Sequence, residues 1–190
     1  MKKYELTNET IEYKGKKLYR IKALIDFGNV EKGARGGFVE KEENLSMSGN
    51  AWVCDNARVC DNARVCDNAR VCGDAQVSGN AWVCDNAWVC DNARVCDNAR
   101  VYGDAFVSDN AQVDKSINYA VIKGFGTCYR STTFFRCQDK TVKVSCGCFL
   151  GTIDEFRNQV KNTRGGKIAK EYLMIADLME IHFSEDGYDD

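Results

Sequence analysis

A valine returns every six residues from Val53 to Val113, and an alanine keeps the same interval from Ala51 to Ala111. Between them the chain repeats one phrase, V-C-D-N-A-R, with small variations. A six-residue unit is too short to bury its own apolar side chains, so the valines leave water only if successive units stack on one another. Such strict, short self-similarity predicts a parallel β-helix over residues 46–116.

One unit shows how. Along Ala57-Arg58-Val59-Cys60 the side chains alternate, sending Ala57 and Val59 inward and Arg58 and Cys60 outward. Asp61-Asn62 then forms the corner, and every corner of the repeat is DN, GD or GN, the residue types that tolerate a left-handed backbone. The small alanine sits beside the corner, where the interior is tightest, and the valine fills the centre. The chain contains no proline, against a usual share of roughly 5%. A stack in which every rung needs its backbone donors accounts for part of that absence.

The unit resembles the hexapeptide of the left-handed β-helix family. That resemblance implies left-handed winding with three strands, or 18 residues, per coil, and so about four coils. Residues 18 apart then stack in columns. One outward column holds Trp52, Arg70, Trp88 and Phe106, a second Arg58, Gln76, Arg94 and Gln112, and a third Ser46, Arg64, Trp82 and Arg100. Cysteines stack likewise, with Cys54, Cys72 and Cys90 as a candidate thiol ladder ending at Ser108. Cys60 and Cys96 flank Ser78, and Cys66 and Cys84 stack below Tyr102.

An open β-helix end invites end-to-end pairing, so the flanks are expected to act as covers. Residues 1–45 read as an N-terminal β cap, with a strand-like run from Leu18 to Ile25 and a glycine-rich turn at 33–37 that lacks the G-K-[ST] of a phosphate loop. Residues 117–190 read as an α+β domain with strands over 117–125, 127–137 and 140–149 and two helices. Thr152 and Glu155 are spaced as a capping box at the first helix. The second helix is expected from Ile168 to Phe183, burying Leu173, Ile175, Leu178, Met179 and Phe183, and the last residues, SEDGYDD, as an acidic tail. The fold class is therefore mainly β. The segments LYRIKALIDFG (18–28), GGFVEKEENLS (36–46) and CGCFLGTIDEF (146–156) resemble a group of uncharacterised hexapeptide-repeat proteins, common in prophages and their bacterial hosts and often labelled polymer-forming. The resemblance implies a phage–host context and carries no activity with it.

Charge and cysteine usage narrow the function. The net charge is −2, so there is no global basic signal for nucleic acid. The repeat itself, from Met47 to Asp114, has five arginines, no lysine and ten aspartates. No stretch approaches the roughly 18 apolar residues of a membrane span, and no apolar run follows the first lysines as a signal peptide requires. The expected compartment is the cytoplasm, where the 11 cysteines should be thiols or metal ligands and the seven in the repeat reduced.

Several chemistries can be weighed. Acyltransferases are the best-known enzymes on this coil and generally use a histidine base, but the only histidine, His182, lies beyond the repeat. Ice binding would need ranks of threonine, absent from these outward positions. The thiol columns suit soft metals, yet parallel side chains in a ladder do not converge as a tetrahedral site does. Cys128, Cys137, Cys146 and Cys148 offer a second set of ligands, for which packing is the simpler reading. The acidic corners could imitate a nucleic-acid backbone and occupy a host defence protein, or serve corner geometry alone. The reading that fits best is a non-enzymatic binding or assembly protein. It needs no cofactor or resident metal. Its partner is a protein or a second copy of itself, with neither membrane nor nucleic acid. Trp52, Arg70, Trp88 and Phe106 are the candidate partner-binding residues, since alternating rings and guanidinium groups make a flat apolar patch.

Overall fold

The computed structural model describes residues 2–184, so the acidic tail expected at the C-terminus lies outside the described residues apart from Ser184. The repeat forms eleven two-residue strands, from Trp52–Val53 to Gln112–Val113. Each pairs in parallel with the strand 18 residues away: Trp88 lies against Arg70 on one side and Phe106 on the other. Three stacks result. One holds the strands beginning at Trp52, Arg70, Trp88 and Phe106, another those at Arg64, Trp82 and Arg100, and the third those at Arg58, Gln76, Arg94 and Gln112. The valines and alanines between Ala51 and Val113 are all at most 1% exposed, so the inward column is one continuous apolar core.

The corners explain the DN phrase in more detail than alternation does. The aspartates at 55, 61, 67, 85, 91, 97 and 109 hold φ between 55° and 63°, while glycine takes the equivalent place at 73, 79 and 103. Five of these carboxylates, at 55, 61, 67, 85 and 91, reach the next coil: Asp61 accepts from the backbone N–H of Gly79 at 3.1 Å and Asp91 from that of Asp109 at 3.1 Å. The asparagines form a second ladder, with Asn62 donating to Asn80 and Asn80 to Asn98. The corner dipeptide thus meets both a steric demand and a hydrogen-bonding one.

The N-terminal flank builds three antiparallel strands, β1 (Tyr4–Tyr13), β2 (Lys16–Ala23) and β3 (Arg35–Val39), and β3 continues the third stack by pairing with Arg58–Val59 in parallel. The glycine cluster expected as a turn lies partly inside β3. A Cβ on Gly36 would sit 2.5 Å from the Val53 carbonyl, and one on Gly37 2.6 Å from that of Ala57, so only glycine lets the cap close on the coil. A short turn at Glu42–Asn44 moves the chain so that Leu45, rather than Met47, faces Val65 across the first rung. Ser46 therefore does not extend the Arg64 column as the 18-residue register had implied. Open-edge carbonyls find donors in the cap: Asn44 donates to Ala63 at 2.9 Å, and the buried Lys3 amine to Ala51 at 3.0 Å.

The C-terminal flank forms a four-stranded antiparallel sheet, Tyr119–Phe125, Arg130–Arg136, Val142–Cys146 and Phe149–Thr152, one strand more than the sequence suggested. The extra strand is the CGCFLGT run, which turns back at Gly147 (φ 62°). One face of this sheet covers the coil: Tyr119, Phe135 and Cys137 join the coil core, and the Phe106 N–H donates to Thr133 Oγ1 at 3.0 Å. The other face packs on α1 (Ile153–Thr163) and α2 (Gly166–His182) around Phe134, Val144 and Phe156. The Thr152–Glu155 capping box is present. In α2 the buried stripe is Tyr172, Ile175, Ala176 and Met179; Leu178 falls off it and is 56% exposed, contrary to expectation. Among the described residues no helix is long and apolar enough to cross a membrane.

Candidate interaction faces and thiol columns

The stack of Trp52, Arg70, Trp88 and Phe106 forms in the expected register, but its exposure differs from expectation. Trp52 is only 4% exposed, because the cap folds over it: the rings of Tyr4 and Phe27 meet it edge-on at 6.4 and 5.4 Å. Phe106 is half-buried beneath the C-terminal sheet and packs edge-on against Trp88 at 5.7 Å. Trp52 therefore belongs to the cap junction, not to a free face. Trp88 stays 41% exposed, beside a half-buried Arg70.

The alternation of ring and guanidinium expected on that stack occurs on another. Arg64 and Arg100 flank Trp82 at 5.6 and 5.5 Å from its ring, and Trp82 is 39% exposed. The sequence carries the signal as Arg64–Trp82–Arg100 at 18-residue spacing. Trp82 and Trp88 occupy successive repeats, one on each side of the corner Cys84-Asp85-Asn86. Among the large apolar side chains of the coil, Trp82, Trp88 and Tyr102 are the exposed ones, on two adjacent stacks between the covered ends, while α2 exposes Met174, Leu178 and Ile181.

Cysteine at the fourth repeat position has a local role. The thiols of Cys66 and Cys96 donate to the adjacent corner carboxylates Asp67 and Asp97 at 3.3 Å, and that of Cys60 to Asp61 at 3.5 Å. Burial first, then the neighbouring aspartate, pushes the Cys60, Cys66 and Cys90 thiols up to about 12; at Cys96 the same causes raise it to about 11. Unfolded, each would ionise near 9.0. Below that pH both states keep the proton and the stabilisation is complete; as pH climbs towards the folded values, only the unfolded chain ionises and stability is lost. The urea midpoint is therefore expected to fall as pH rises from about 9 towards 11, and to fall less in Cys66→Ser/Cys90→Ser/Cys96→Ser. Parallel slopes for the two proteins would remove the thiols from the account.

The candidate ladder Cys54, Cys72 and Cys90 is not a row of three thiols. Cys54 and Cys72 are joined in a disulfide, with Cα atoms 4.7 Å apart across one rung, and Cys90 is free. Rung spacing falls within the reach of a disulfide, so stacking alone brings the sulfurs together. The expectation that all seven repeat thiols are reduced is corrected accordingly. Thiol titration of the unfolded protein should return nine groups, with an intact mass lower by two hydrogens than the fully reduced chain. A count of eleven would contradict the bond.

Among the described residues three sets of ligand atoms lie within 4.8 Å of one another: Cys54–Asp55–Cys72, Cys66–Asp67–Cys84 and Glu40–Cys60–Asp61. The corner aspartate supplies a third ligand that a purely parallel ladder lacks. The first set is occupied by the disulfide and the last by Lys16, which pairs with both Glu40 and Asp61 and holds the Asp61 carboxyl below its usual range. The four C-terminal cysteines do not gather: Cys137 is buried in the coil core, whereas Cys128, Cys146 and Cys148 line a cavity beside α1. His182 Nε2 lies 3.2 Å from the Ile117 carbonyl, with its ring against Phe183.

With this geometry in view, four stretches of the coil, 57–73, 63–77, 75–91 and 93–109, match the YdcK β-solenoid repeat. These matches lie within the coil and do not extend to either flank. None of the curated proteins searched matches the chain.

Proposed function

We propose that this chain is a non-enzymatic binding or assembly protein whose working surface is the tryptophan-bearing middle of the coil. The observation that carries the reading is that Trp82 and Trp88 remain 39% and 41% exposed while caps cover both coil ends. Large aromatic groups held rigidly outward, with arginines alongside, are the composition of binding hot spots. The occupant is a protein partner or a second copy of the chain, with no cofactor and no membrane or nucleic acid. The test is association and partner capture by Trp82→Ser/Trp88→Ser, developed below.

The coil is taken as left-handed with three strands per turn; the 18-residue register and the three stacks support the three strands, and the handedness rests on the resemblance to the hexapeptide family. A phage or prophage origin rests on the flank motifs at 18–28, 36–46 and 146–156. A cytoplasmic setting is supported by nine free cysteines of eleven. Within the phage context the alternative is an inhibitor of a host defence protein that acts through the acidic corner columns. Five of those carboxylates, at 55, 61, 67, 85 and 91, already accept backbone N–H groups of the next coil, which makes this reading the weaker one. An acyltransferase would need a base at a cleft, and His182 instead sits at the end of α2 against the Ile117 carbonyl.

A further inference from the structure

The C-terminal unit contains a cavity of about 440 Å³ between the 126–130 turn, the 146–148 turn and α1. Its floor is aromatic. Phe156 stands at the centre, with Phe149 at 5.6 Å and Tyr172 at 5.7 Å, the latter edge-on. The Tyr172 hydroxyl donates to the Phe125 carbonyl at 3.3 Å, which fixes the ring, and Gly126 is the residue that lets it approach so closely.

The rim is cationic. Arg130 and Arg164 both line the opening, both are exposed, and neither has an ion-pair partner among the described residues. Among the described residues no aspartate or glutamate lines the cavity. The neighbouring Arg157 is the contrast, with Asp154, Asp177 and Glu180 all drawn to it. Arg130 is also seated: a Cβ on Gly147, whose φ is +62°, would lie 2.8 Å from its Nη1, so glycine there leaves the guanidinium its place.

We propose that this cavity binds a small aromatic anion, with the ring on Phe149, Phe156 and Tyr172 and a carboxylate or phosphate between Arg130 and Arg164. A volume of this size accommodates a compact organic ligand. A paired guanidinium grip on an oxyanion supplies the orientation, and the apolar floor supplies the area. The site is separate from the coil surface and independent of the function assigned to that surface.

Calorimetric titration of the full chain with 2-naphthoate and with phenyl phosphate tests the idea. Inorganic phosphate and 2-naphthalenemethanol serve as the anion-only and ring-only controls. Both aromatic anions should bind at least about tenfold more tightly than either control, and Arg130→Ala/Arg164→Ala should weaken them by about tenfold or more. These arginines are exposed, so far-UV circular dichroism should be unchanged in the variant. Saturating 2-naphthoate should also slow alkylation of Cys128 and Cys148, which line the cavity, and leave Cys66 unaffected. The proposal fails if neither anion binds, if the neutral alcohol binds as well as the acid, or if the double arginine variant binds the acids unchanged.

Discussion

Val83→Asp should unfold the coil. Val83 is 0% exposed, between Val65 and Val101 in the inward column, and no buried partner for a carboxylate lies beside it. Burying an unpaired charge costs about 4–5 kcal/mol or more, against a total stability of about 5–15 kcal/mol for a domain of ordinary size. The position magnifies the effect. Each rung of a stacked repeat contacts only its neighbours, so a break in the middle leaves two short stacks, each with a cap at one end only. Arg94→Ser, on an exposed side chain one rung from the end of its stack, should change stability by no more than about 0.5 kcal/mol. Urea unfolding followed by circular dichroism distinguishes the two. Equal losses would mean that the inward and outward positions are misassigned.

Trp82→Ser/Trp88→Ser should leave the fold standing and weaken self-association or partner capture by more than about tenfold. Neither indole enters the core. The structural cost is limited to the Arg64 and Arg100 contacts with Trp82, worth roughly 0.5–1 kcal/mol each at an exposed site, and the edge-on contact of Trp88 with Phe106. The loss at an interface is larger, because the remaining exposed area of two tryptophans would be removed from a central, desolvated patch. Light scattering and pull-down yield report association. Trp52→Ser should behave in the opposite way, destabilising the N-terminal cap, since that indole packs between Tyr4 and Phe27.

The coil was legible because its rule is local: a two-residue strand and a two-residue corner, repeated, dictate which side chains turn inward. The long-range consequences were not. Nothing in the spacing of Trp52 distinguishes it from Trp88; what separates them is the N-terminal cap, whose Tyr4 and Phe27 fold over one and not the other. Phe106 is half-buried for the same reason at the opposite end. The extra strand at Phe149–Thr152 was hidden because CGC reads as a strand end, and the turn depends on the positive φ of Gly147. Spacing alone places Leu178 in the core, whereas the helix face is chosen by Tyr172, Ile175, Ala176 and Met179 acting together. The Cys54–Cys72 bond follows from columns that the sequence did reveal, once rung spacing is compared with disulfide reach.

The central claim is that the middle of the coil is the surface that meets a partner. Oxidative footprinting of the three tryptophans tests it most directly. The chain would be labelled when dilute, at concentrations where it associates, and in complexes captured from a bacterial lysate. The account predicts that Trp52 is shielded in every state, and that Trp82 and Trp88 are modified in the dilute chain and protected on association. Trp82 and Trp88 labelled equally in all three states would contradict it.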